Sequence, residues 1–177
     1  MKLRIFAAAL LAAGTCFASG ANAQAQSPAP DLNAVPDKMP FNIPFGPPIA
    51  MDKAQAVIAA AVAEANKRGW PEDFAVVDNH GDLVAFARMD GAQLASIAIA
   101  QHKARTAARY RRPTLAFETG MQKFGFNYLM TLDDVIASRG GIPLVQDGKI
   151  IGAVGCSGGT GSQDQVLCEA AAATIGK

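Results

Sequence analysis

Residues 74–88 read FAVVDNHGDLVAFAR, two short apolar runs separated by Asn79-His80-Gly81-Asp82. Each run is too short for a globular helix and rich in Val and Phe. The four residues between them have turn chemistry, so Phe74 to Asp78 and Leu83 to Arg88 are expected to pair as an antiparallel β-hairpin. The pattern returns later in the chain. Ile142 to Gln146 and Lys149 to Cys156 flank Asp147-Gly148, a dipeptide that accepts the positive φ of a tight hairpin turn. Leu132 to Ala137 is the best candidate for a further strand, with Arg139-Gly140-Gly141 bending the chain after it.

Helical periods surround these hairpins. From Met51 to Arg68, the residues Ala54, Val57, Ile58, Ala61, Val62 and Ala65 mark one apolar face. Asp52 suits the positive end of that helix, Arg68 the negative end, and Gly69 with Pro71 stops it. From Leu94 to Arg111 the inner face is mostly alanine: Ala98, Ala100, Ala104, Ala107 and Ala108. Small residues let a helix lie close to a sheet. His102, Arg105, Arg109 and Arg112 form a basic stripe down one side of it if the helix reaches that far. Pro113 ends it, Thr114 can cap a shorter helix toward Lys123, and a last helix is expected over Gln163 to Ile175. Hairpins with helices segregated around them predict an antiparallel sheet in an α+β layered domain.

The N-terminus has the parts of a cleavable export signal. Lys2 and Arg4 are basic, Ile5 to Ala13 is apolar, and Ala21 and Ala23 flank Asn22, so cleavage is expected after Ala23. The apolar run is too short to span a bilayer. Residues 1–23 are therefore expected to be signal peptide, 24–48 a Pro-rich linker or arm, and 49–177 one domain, periplasmic or secreted and free of the membrane after cleavage. Removing Lys2 and Arg4 takes the basic count from 16 to 14 against 15 acidic residues, a formal charge of −1. A near-neutral surface has no general pull on nucleic acid or anionic membrane. Cys156 and Cys168 remain after cleavage, where one disulfide and two buried thiols are both open.

Familiar catalytic signatures are missing. The chain has no His-Glu-x-x-His, no Cys-x-x-Cys and no Gly-Lys-Ser/Thr phosphate loop. His80, in a turn, and His102, on the basic stripe, are the two imidazoles that could ligate a metal. Gly155 to Gly161 precedes a helix, so its backbone N–H groups could hold a carboxylate or phosphate; the plainer alternative is a strand-to-helix connection with Asp164 as dipole partner. Lys103 and Thr106 share a face beside the alanines, either as anion contacts or as a snorkelling lysine and a core threonine. Asp78 and Asp90 are turn formers or site groups.

These segments together resemble the GlcG/HbpS-type haem-binding, or haem-degrading, domain family. The resemblance is carried by Val76-Val77-Asp78, Gly81, Leu83 to Phe86 with Arg88 to Ala92, Ala100 with Lys103-Ala104 and Thr106-Ala107, Gly140-Gly141 with Pro143-Leu144, and Gly148 through Gly159 with Asp164. It spans nearly all of residues 49–173. It implies a profilin-like layered fold with a five-stranded antiparallel sheet, homo-oligomers, and a role in binding haem or degrading it slowly. Relatives beside glycolate or diol metabolism leave a second role open, an accessory module for a small carboxylate. Carried over, Lys103, Thr106, Asp78, Arg88, Ser157, Gly158, Gly159 and Asp164 match the pattern. For haem, Lys103, Arg105 or Arg109 would meet the propionates and His102, His80 or Thr106 would approach the iron. Without Cys-x-x-Cys-His the haem would be exchangeable. Whether the protein is an enzyme stays open at this level.

Overall fold

A computed structural model describes residue 31 and residues 33–176; the export signal expected over residues 1–23 lies outside them. The apolar periods become α1 (Met51–Arg68), α2 (Ser96–Tyr110), α3 (Thr114–Phe124) and α4 (Gly161–Ala172). The hairpins become β1 (Asp73–Asp78) with β2 (Leu83–Arg88), and β3 (Gly141–Gln146) with β4 (Lys149–Ser157). All strand pairs in the sheet β2-β1-β4-β3 are antiparallel. Pro143, which has no N–H to donate, sits on an edge strand, where its loss of a ladder bond is tolerated.

The expectation of five strands is corrected: four are present among the described residues. Leu132–Ala137, the extra candidate, is an irregular loop after a 3-10 turn at Asn127–Thr131. Side chains of α2 take its backbone groups in place of a neighbouring strand. Thr106 Oγ1 donates to the Asp134 carbonyl at 2.6 Å and accepts from Ile136 N at 3.1 Å, and Tyr110 Oη donates to the Asp133 carbonyl at 2.7 Å. Asp134 also adopts φ 58°, which breaks an extended run.

Strand alternation divides the core into two. Phe74, Val76 and Val154 face α1 and α4, with Val57, Ala61, Leu167 and Ala171 against them. Ala75, Val77 and Ala153 face the alanines of α2, Ala100, Ala104 and Ala107. Large side chains such as Phe74, Leu144 and Leu167 are fully buried, each stabilising the fold by about 1.5–3 kcal/mol. On the α2 side close approach replaces bulk. Gly141 and Gly155 are cross-strand partners, and a Cβ on either would collide with the α2 backbone, at Lys103 O and Ala100 O respectively.

The arm is not wholly detached from the domain. Ile150 N donates to Pro44 O and Gly46 N to Ile150 O, both at 2.8 Å, so this piece runs parallel to the start of β4 beyond the end of β1. Asn79 Nδ2 adds a bond to Gly46 O at 2.6 Å. Among the described residues no helix is long and apolar enough to cross a membrane.

Candidate functional site

The carboxyl end of β4, the glycine-rich loop and the start of α4 form a buried polar corner. α4 starts at Gly161, two residues earlier than its apolar pattern suggests. Thr160 accepts from Gln163 N while the Gln163 side chain accepts from Thr160 N, a capping box that satisfies two end N–H groups. The spacing Thr-x-x-Gln was visible in the chain. The first turn then aims Asp164 inward, where it is 3 % exposed.

Lys103 reaches the same point from α2. It is 1 % exposed, with Nζ donating to Asp164 Oδ2 at 2.5 Å and to the Cys156 carbonyl at 3.2 Å. Asp164 Oδ1 accepts from Gly159 N at 3.1 Å. The loop N–H of Gly159 is thus taken by the Asp164 carboxylate, as in the plainer reading of the loop as a strand-to-helix connection. Ser157 Oγ donates to Ser96 Oγ at the N-terminus of α2 at 3.0 Å. Cys156 and Cys168, left open above, form a disulfide that ties β4 to α4 around this corner.

Two residues of the corner were not singled out in the sequence. Glu72 and Asp73 are fully buried, and as carboxylates none of their four oxygens has a hydrogen-bond partner among the described residues. Glu72 lies beside Asp164 with Gly158 packed on its stem: a Cβ at Gly158 would come 2.5 Å from Glu72 Cγ. Burial, with the Asp164 charge adding to it and Lys103 opposing it, pushes the Glu72 carboxyl up to about 8. Burial also raises Asp73, which pairs in register with Arg88 and Ser157, against the pull of the Arg88 charge. A polar Glu-Asp pair before an apolar strand reads as a solvated strand end; only the packing of the loop and α4 over it shows otherwise.

The remaining candidates lie elsewhere. Asp78 stands at the far end of β1, where its Oδ1 accepts from His80 N at 2.8 Å and Asp82 N at 3.0 Å, a turn-forming pattern. His80 is exposed, its Nδ1 3.8 Å from Asp78. Arg88 is exposed at the end of β2. The basic stripe on α2 is largely engaged: Arg109 Nε donates to His80 O and its guanidinium pairs with Asp134, while Arg105 Nε donates to Gly81 O at 3.4 Å. Thr106 is fully buried in its two bonds to the 134–136 loop, and Thr114 Oγ1 accepts from Gly141 N instead of capping α3. Glu118 is held below the usual carboxylate range by Arg139, which lies 2.5 Å away. His102 differs from these. It is half-buried, and its Nε2 is shielded from solvent with no protein partner among the described residues.

Residues 49–173 match the family model described as haem-degrading protein, HbpS-like. Protein GlcG of Escherichia coli K12 is 43 % identical over 109 residues, which covers 62 % of this chain and 81 % of GlcG. Among solved structures, a PduOC:haem complex superposes with a TM-score of 0.66 at 29 % identity, covering 72 % of this chain and 95 % of the other. HbpS superposes with a TM-score of 0.70 at 27 % identity, covering 77 % and 96 %.

Proposed function

The chain belongs to the haem-degrading, HbpS-like family, and from that premise we propose that it is an exported, homo-oligomeric protein that binds exchangeable haem, sequestering it or slowly degrading it. The observation that carries this reading is the likeness, over most of both chains, to a protein crystallised with haem. Its own residues suit the ligand at one point. The His102 Nε2 has no hydrogen-bond partner among the described residues, so this imidazole nitrogen is not committed to another group.

Bound haem would supply iron-centred peroxide chemistry directed at its own macrocycle. The protein's part is to hold and orient it. His102 would offer the imidazole, and Arg105, whose Nε makes one long bond, would offer a cation to the propionates. Lys103 is a poorer propionate partner because its amine already neutralises Asp164. Thr106 is likewise spent on the 134–136 loop.

Absorbance titration of the purified protein with hemin tests this. A saturable shift of the Soret band is expected. His102→Ala should move the band and weaken binding on the order of tenfold, about 1.4 kcal/mol. A linear, non-saturating response in the parent protein would remove the haem reading, and an unchanged spectrum in the variant would remove His102 from it.

A further inference from the structure

The buried corner holds one cation, Lys103, and three carboxylates, Glu72, Asp73 and Asp164, in a space closed to water. Lys103 balances Asp164, which leaves nothing for Glu72. Two carboxylates cannot donate to each other, so an ionised Glu72 would be an unpaired buried charge beside a second negative group. As a carboxylic acid it becomes a donor, and Asp164 is the acceptor within reach. Such dyads keep one proton between them because two neighbouring carboxyls shut off from water resist both being charged.

We propose that Glu72 and Asp164 share a single proton that latches the glycine-rich loop: while the proton is held, Gly158–Thr160 stays seated with Gly158 on Pro71 and Glu72, and when it leaves, the loop lifts. This inference does not depend on haem.

The groups facing Glu72 come from three elements. They are Asp164 on α4, Lys103 on α2 and, beside it on β1, Asp73, which the Arg88 charge on β2 reaches. Glu118 on α3 interacts with Lys103 at longer range but is itself taken up by Arg139. Among the described residues no second cation therefore stands ready to receive a charge on Glu72. The loop is the part able to yield. β1 is hydrogen-bonded on both sides, whereas Gly158 is half-buried and Gly159 and Thr160 are exposed. The Cys156–Cys168 bridge brackets the loop, so α4 stays on the sheet and the opening is confined to the residues between.

The test is NMR on the carboxyl-labelled, oxidised protein from pH 4 to 10. Glu72 is expected to titrate near pH 8, with the amide shifts of Gly158 and Gly159 moving at the same midpoint. Above it, protection of those amides from exchange should fall about tenfold per pH unit, the slope of an opening linked to one proton. Glu72→Gln retains a donor but cannot ionise, so its protection should stay level across that range. A Glu72 midpoint below pH 6 overturns the shared proton. An alkaline Glu72 midpoint with loop amides that do not follow it overturns the latch. The parent protein decides both points even where the variant does not fold.

Discussion

At the scale of single residues, the corner shows how burial changes what a charged side chain is for. Lys103 in water would be a mobile cation; enclosed, it exists to neutralise Asp164 and to satisfy the Cys156 carbonyl. A buried pair of this kind adds little net stability over an apolar isostere, but removing one partner costs about 3–5 kcal/mol because the other charge is stranded. Glu72 sets a pH dependence whose sign follows from its raised value. Below its ordinary 4.5 the acid is neutral folded and unfolded alike, so its contribution is fully present. As pH rises the unfolded chain releases that proton while the folded chain keeps it, and stability is lost until the folded group ionises near 8. Urea unfolding midpoints should therefore decline between pH 5 and pH 8, and Glu72→Gln should flatten the decline. A midpoint that climbs across this interval in the parent, with no change of slope in the variant, would show that Glu72 is ionised in the fold.

At the scale of elements, α2 is placed by what its neighbours lack. The alanine face predicted close approach, and the sheet answers it with Gly141 opposite Gly155. Adding one methyl group at Gly155 drives a Cβ into Ala100 O and to 2.6 Å from Ala104 N, so the whole helix must shift. Gly155→Ala is expected to destabilise the protein by about 1–3 kcal/mol, in the range for overpacking a tight core, as measured by urea denaturation. Since α2 also carries Lys103 and His102, the same change should disturb both the corner and hemin binding. A variant as stable as the parent would mean that α2 can slide at no cost. The loop over residues 132–137 carries the complementary lesson. Its apolar residues suit a strand, yet Thr106 and Tyr110 claim its backbone groups first, and Arg109 pairs with the Asp134 carboxylate. A segment of ambiguous pattern takes whichever hydrogen-bond partners the packed elements bring to it.

At the scale of the whole molecule, two helices cover one face of the sheet and α2 the other, and the last residues of the arm extend the sheet beside β4. Those arm residues distinguish two truncations. A chain beginning at Phe41 should unfold within about 0.5 kcal/mol of one beginning at residue 24, because residues 31–40 are exposed where described. A chain beginning at Ile49 loses the Pro44 and Gly46 bonds to Ile150 and the Gly46 acceptor of Asn79. Leaving such buried groups unpaired costs about 1–3 kcal/mol each, so its thermal midpoint should drop measurably. Equal midpoints for all three chains would show that the arm only rests on the sheet.

Local pattern alone determined the two hairpins, the four helices to within a few residues and the antiparallel α+β class, because turn chemistry and apolar period are properties of neighbouring residues, while the family followed from the resemblance of several linked motifs. It also pointed to Lys103, Asp164 and the glycine-rich loop without showing that they meet. Tertiary structure decided that they close on one another, that Cys156 and Cys168 are bridged, and that Glu72 and Asp73 are buried. Burial and pairing between separate elements depend on how the layers stack, and nothing in the spacing of adjacent residues encodes which charged side chain will be cut off from water.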